Sequence, residues 1–288
     1  MPKKLYREFE TAEEIDAAYD VQASVEDFGV YVDFYVNESA RARDELECML
    51  DIPFGPTLDE TFDIFPAKDP NAPILVFVHG GYWRILSSKE FSLVANAPVA
   101  AGYTVVVTNY SLCPKVTISE ITRQSRAAVA WLYKNDLPCN GDREQIYVCG
   151  HSAGGHQTAM LLGTDWAGEY GLPADTIKGG LSISGLFDLT PLQHSWLQGD
   201  LLLEEEIIKR ESPIFELPQQ APPLALTVGG KEPSEFARQS SDFHQAWVAN
   251  GLEASYQPLV EKNHFDILDG FMDVESELMG MLHSLRAT

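Results

Sequence analysis

The sequence predicts an α/β protein with a mostly parallel central sheet and helices on both faces, formed as a single domain over residues 1–288. Three observations carry this. Short apolar runs without polar alternation, such as Ile74-Leu-Val-Phe-Val78, mark strands covered on both sides. Segments with apolar residues three and four apart mark helices with one inner face. From Thr61 onward the two kinds alternate, as strand–helix–strand units require.

The first sixty residues read as a helical arm rather than as core. Thr11 and Glu14 form a capping box that opens a short helix through Ile15 and Tyr19. A second helix is expected over about 39–50, ended by Asp51-Ile-Pro-Phe-Gly-Pro56. Ile74–Val78 and Tyr103–Thr108 are then strands. A helix follows behind a second capping box at Thr117 and Glu120, with Ile118, Ile121, Ser125, Ala128 and Leu132 inward. Gln145–Cys149 is a buried strand that runs through Gly-His-Ser-Ala-Gly-Gly155 into another helix. Leu181–Ser184 and Leu224–Val228 continue the strand series. Residues 186–218 between them are long for one crossover and read as a small helical cap over the catalytic edge. A helix from about Ser234 carries Phe236, Ser240, Phe243 and Trp247 on one face, with Gly251 at its C′ position.

Composition narrows the function. A net charge of −23 repels polyphosphates and anionic membranes, so neither nucleic acid nor a membrane surface is expected as a partner. No apolar run approaches the length that spans a bilayer, and no apolar h-region follows Met-Pro-Lys-Lys at the N-terminus. Cysteines 48, 113, 139 and 149 show no CxxC pair and no spacing suited to zinc, so no metal is implied. Buried thiols in a reducing compartment fit best, and the expected location is the cytoplasm.

Gly150-His-Ser152-Ala-Gly154 matches G-x-S-x-G. That pentapeptide arises by chance in about one such chain in ten, given ordinary Gly and Ser usage. Its setting is more specific, because it leaves a buried strand and opens a helix. Such a sharp turn needs small flanking residues, and it presents Ser152 Oγ as a nucleophile. A phosphate-binding loop would need G-x-G-x-x-G spacing or a P-loop lysine, and has neither.

His79-Gly-Gly-Tyr-Trp83 directly follows the Ile74–Val78 strand, and adjacent glycines let backbone N–H groups approach a substrate oxygen. The expected oxyanion donors are Gly81, Tyr82 and Ala153, with Gly80 as a further candidate. His79 itself suits a hydrogen bond that holds the loop.

Among seven histidines, His264 in Glu261-Lys-Asn-His-Phe265 has the position of a base that arrives on a late loop. His151 and His156 are too near the elbow, while His194, His244 and His283 fall in the cap, a mid-helix position and the C-terminal region. The acid should follow the Leu224–Val228 strand, where Glu232 is the first candidate, Glu235 the second and Asp188 the third. Trp83, Tyr110, Phe187 and Trp196 are candidates to line an aromatic-sized pocket, with plain core packing as the alternative for each.

These pieces resemble a known family. HGGYW at 79–83, GHSAGG at 150–155, the loop from Glu232 to Ser240 and Asn263-His-Phe-Asp266 are together similar to the kynurenine formamidase (arylformamidase) branch of the α/β-hydrolases. The resemblance implies the α/β-hydrolase fold, a Ser152, Glu232, His264 triad and no cofactor. Family members carry Asp where this chain has Glu232, which leaves the triad chemistry in place and bears on its geometry. The implied reaction is hydrolysis of a small acyl amide or ester, most like that of N-formylkynurenine, through an acyl-serine. The alternatives are a general short-acyl carboxylesterase, an amidase for another N-acyl aromatic or heterocycle, and a non-catalytic binding protein on a hydrolase scaffold. Dimers are common in this fold, so analogy suggests a homodimer.

Overall fold

The computed structural model describes residues 4–137 and 139–286. Eight strands form one sheet: β1 Met49–Pro53, β2 Thr61–Phe65, β3 Ala72–Val78, β4 Thr104–Thr108, β5 Gly141–His151, β6 Ile177–Ile183, β7 Leu224–Thr227 and β8 Ala254–Tyr256. Their order is β1-β2-β4-β3-β5-β6-β7-β8. The first two pairings, β1 with β2 and β2 with β4, are antiparallel, and the other five are parallel.

The continuous apolar runs have the cause expected of them. Along β3, Ile74, Val76 and Val78 join the core on one face while Leu75 and Phe77 join the core on the other. Alternate side chains of one strand thus serve two cores, so neither parity tolerates a polar residue. Helices Ile118–Lys134, Ala153–Leu162 and Ser234–Ala249 cover the first face, and Glu277–Ser284 packs on the second.

This order also selects the place of the site. The chain runs outward from β3 to β4, then returns to the other side of β3 for β5. The carboxyl ends of β3 and β5 therefore flank the point where connections diverge, which is where open parallel sheets bind ligands. Both the 79–83 loop and Ser152 emerge there.

Three expectations need correction. The second helix of the arm spans Phe28–Glu45 rather than 39–50, because Asp27 caps it through Gly29 N at 2.9 Å and its apolar stripe starts at Phe28. Met49 and Leu50 are consequently not helix but open the edge strand Met49–Pro53, which satisfies the free side of β2. The arm is also part of the core, since Ile15 and Tyr19 are fully buried. At Thr117 only half the capping box forms. The Thr117 hydroxyl accepts from Glu120 N, while the Glu120 carboxylate takes Arg123 and Gln124 instead. The box at Thr11 and Glu14 is complete.

Between β6 and β7 lie a 3-10 turn at Thr190–His194 and short helices at Gln198–Leu201 and Glu205–Glu211. Leu189, Leu192, Leu197 and Leu201 anchor this insert in the core. Among the described residues no helix is long and apolar enough to cross a membrane.

Candidate active site

Ser152 sits between the end of β5 and the helix Ala153–Leu162, with φ 58° and ψ −117°. A non-glycine residue held there costs about 1–3 kcal/mol, a strain that functional turns retain. Its surroundings show why the flanks are glycine. A Cβ on Gly150 would lie 2.1 Å from the Gly154 carbonyl oxygen, and one on Gly154 would lie 1.9 Å from that of Val78. The turn is tied to the neighbouring strand by Ser152 N, which donates to the Ile183 carbonyl at 2.8 Å.

The loop after β3 wraps against this turn. Gly81 has φ 109°, and Tyr82 and Trp83 follow at 49° and 57°, three successive residues in the left-handed region. Among the described residues, Gly81 N, Tyr82 N and Ala153 N donate to no protein acceptor. His79 is fully buried and its Nδ1 donates to the Gly80 carbonyl at 2.7 Å, as a loop-holding histidine should. Tyr110 stacks on that ring at 4.0 Å and donates its hydroxyl to the His79 carbonyl at 2.9 Å. Burial holds His79 at about 4, well under the ordinary histidine value, so it stays neutral.

His264 Nδ1 donates to Glu232 Oε2 at 2.6 Å. The other oxygen, Oε1, accepts from Ser184 Oγ and from Gly229 N, each at 2.6 Å. The Glu232 side chain is fully shielded from solvent, and His264 is 3% exposed. A carboxylate so placed fixes the imidazole with its proton on Nδ1 and leaves Nε2 as the acceptor. The other two acid candidates are engaged elsewhere. Glu235 takes Tyr19 OH and Arg238, and Asp188 takes Tyr6 OH and Thr190 N. Phe236, one turn into the helix Ser234–Ala249, packs its ring 4.8 Å from that of His264.

Ser152, His264, Gly80, Gly81 and Tyr82 all line one cavity of about 430 Å³. Of the four pocket candidates only Trp196 reaches it, on the rim and 40% exposed. Trp83, Tyr110 and Phe187 are a correction: all are buried behind the cavity wall. Trp83 packs edge-on against His156, and Phe187 stacks on Phe243 at 4.2 Å. In their place the wall uses Phe28, Tyr31, Val32 and Tyr35 of the arm, together with Phe91 and Phe265. Their signal was the spacing of Phe28, Tyr31, Val32 and Tyr35, which is one helical face behind an Asp27 cap. At the mouth Arg84 Nη1 meets Asp200 of the insert, and Trp196 N donates to Asp16 of the arm. Among the described residues no group of three or more His, Cys, Asp or Glu is placed to hold a metal ion.

The chain is similar in sequence and fold to known proteins. The BD-FAE family model matches residues 62–247. Kynurenine formamidase of Danio rerio is 32% identical over 240 residues, covering 81% of this chain and 80% of that protein. The crystal structure of a candidate thioesterase from Silicibacter sp. TM1040 superposes with a TM-score of 0.82 at 29% identity, over 94% of this chain and 99% of that one. An esterase of Pyrobaculum calidifontis, 18% identical with a TM-score of 0.71 over 96% and 97% of the two chains, shares the fold. The chain has the α/β-hydrolase fold, is a hydrolase, and belongs to the BD-FAE family and to the kynurenine formamidase-like branch of the α/β-hydrolases.

Proposed function

We propose that the protein is a serine hydrolase that removes a formyl or other small acyl group from an aromatic amide, most like the hydrolysis of N-formylkynurenine. The observation that carries this reading is the 2.6 Å contact of His264 with a buried Glu232 on the cavity that also exposes Ser152. Ser152 Oγ attacks the acyl carbonyl while His264 Nε2 takes its proton. The oxyanion meets the N–H groups of Gly81, Tyr82 and Ala153, each worth about 3 kcal/mol at the transition state. His264 then passes the proton to the leaving nitrogen, and water, activated by the same base, releases the acid from Ser152.

The aromatic wall of Phe28, Tyr31, Tyr35 and Phe265 supports an aryl leaving group, and the cavity volume is in the range of small-molecule sites. A second reading, short-acyl carboxylesterase, is favoured by the apolar rim of Val32, Val36, Ile85, Leu86 and Trp196. The arm and the 186–218 insert are then parts of one catalytic domain. Free thiols at all four cysteines support a cytoplasmic location, and the net charge of −23 supports a small molecule over nucleic acid or membrane as partner. A homodimer rests on analogy with the fold.

The test compares kcat/KM on N-formylkynurenine, its N-acetyl analogue, a short nitrophenyl ester and an acyl thioester. Preference for the formamide supports the reading, and preference for the ester favours the second. A Ser152→Ala variant with normal turnover on all four would overturn both.

A further inference from the structure

We propose that the base loop is clamped from outside at three consecutive residues, and that His151 and Tyr35 are positioning residues for His264. The inference rests on the serine hydrolase reading for its catalytic meaning and on separate contacts for its geometry.

The sheet alone does little to place this loop. β8 is three residues long, and the last register contact before His264 is a single bridge between Gly229 and Leu259. Asn263 closes the loop on itself. Its N–H donates to Asp266 Oδ1 at 2.6 Å, and its Oδ1 accepts from Phe265 N at 2.8 Å and Asp266 N at 3.1 Å. That makes a compact turn, which the loop after β7 holds on one side: Lys231 N donates to the Lys262 carbonyl at 2.9 Å, and Glu232 takes His264 Nδ1.

Three further bonds hold the turn from the other side. Asn263 Nδ2 donates to Tyr31 OH, the His264 carbonyl accepts from His151 Nε2, and the Phe265 carbonyl accepts from Tyr35 OH, each at 2.8 Å. Phe265 also packs its ring 4.9 Å from Phe28 and 5.3 Å from Tyr31. His151, Tyr35, Asn263, His264 and Phe265 are all buried, so water is a poor substitute for any of these partners.

The two ends of the clamp differ in meaning. His151 immediately precedes Ser152, so its bond ties the base's backbone to the turn that carries the nucleophile. Its acceptor is a carbonyl, so the proton lies on Nε2, and burial keeps the ring neutral. Tyr31 and Tyr35 stand one turn apart on the helix Phe28–Glu45, whose Phe28, Tyr31, Val32, Tyr35 and Val36 also line the cavity. One helix thus lines the cavity and also holds the loop that carries the base. The arm is a working wall of the site, not an appendage.

The experiment uses the full chain with Tyr35→Phe, His151→Gln and His151→Phe. Tyr35→Phe removes one hydroxyl and keeps the ring. The readouts are kcat and KM on a short nitrophenyl ester, and the far-downfield proton resonance of the His264 Nδ1–H bonded to Glu232. Tyr35→Phe is expected to lower kcat about five- to tenfold, leave KM within about twofold, and broaden the downfield resonance. His151→Gln, which keeps a donor at the same reach, should retain kcat within about threefold of wild type, whereas His151→Phe falls at least as far as Tyr35→Phe. Wild-type kcat with an unaltered resonance in Tyr35→Phe would overturn the clamp, as would a loss confined to KM. If His151→Phe fails to fold, Tyr35→Phe alone decides. If wild type hydrolyses no substrate, the hydrolase reading fails while the resonance still tests the clamp.

Discussion

Glu232 holds His264 with one carboxylate oxygen at 2.6 Å and is itself held through the other by Ser184 Oγ and Gly229 N. The glutamate therefore spans two anchor points, and its length matters at both. Glu232→Gln presents an amide in place of one acceptor, which disfavours the tautomer that leaves Nε2 free. The expected loss in kcat is about a thousand- to ten-thousandfold with little change in thermal stability. Steady-state rates on any accepted ester check it, and a loss under tenfold would assign the acid elsewhere.

Glu232→Asp separates geometry from charge. An aspartate keeps the carboxylate but is one methylene shorter, so it cannot reach His264 and still accept from Ser184 and Gly229. A fall of about ten- to a hundredfold is expected, because displacements near 1 Å carry penalties of that size. Steady-state rates on an accepted ester, set beside those of Glu232→Gln, check it.

The strained turn makes its own prediction. Ser152 lies at φ 58° in a conformation that glycine adopts at no steric cost. Ser152→Gly should be inactive yet more stable than Ser152→Ala by about 1 kcal/mol, or roughly 2 °C in melting midpoint. Equal midpoints for the two variants would mean that the turn stores no strain.

What could be read in the chain, and what could not, follows from where each constraint acts. Ser152 was legible because much of the turn's requirement is local: a Cβ on Gly150 would clash with Gly154 only four residues on, so the pattern must be written there, while Gly154 is required by the close approach of Val78 from β3. Glu232 and His264 were legible through chain order on a known arrangement of strands. The cavity wall was not. Phe28, Tyr31 and Tyr35 announce a helix with an apolar face, but nothing local says that this face meets Phe265, more than two hundred residues away. Met49–Pro53 fails for a related reason. A five-residue edge strand is decided by the open side of β2, not by its own propensity, and Pro53 ends it where a further N–H would go unused.

The tryptophans divide the wall from the core behind it. Trp196 lies on the rim, 40% exposed, with Tyr82 6.1 Å away, so Trp196→Ala should raise KM for aromatic substrates several-fold and leave stability within about 0.5 kcal/mol. Trp83 is fully buried, and Trp83→Ala should instead cost about 3–5 kcal/mol of stability. Denaturant midpoints set beside KM values check both halves. A stability loss at Trp196 as large as that at Trp83 would place it in the core.

Acid sensitivity should come from histidines that do no proton transfer. His79, His151 and His156 are all buried, and loss of water is the main cause that lowers each below the ordinary value. For His79 the folded value is about 4 against 6.5 for an unperturbed side chain. Below pH 6.5 the unfolded chain takes up a proton that the folded chain refuses, so stability present above that pH is lost progressively as pH falls toward 4. The full effect for His79 amounts to about 3 kcal/mol, and His151 and His156 act in the same direction. Urea midpoints should therefore fall steadily between pH 7 and pH 5. His79→Asn, whose side-chain amide can still donate to the Gly80 carbonyl, should be less stable at neutral pH but flatter across this range. A slope identical to wild type in that variant would show that His79 already titrates freely in the folded protein, and that its stacking against Tyr110 does not keep it neutral.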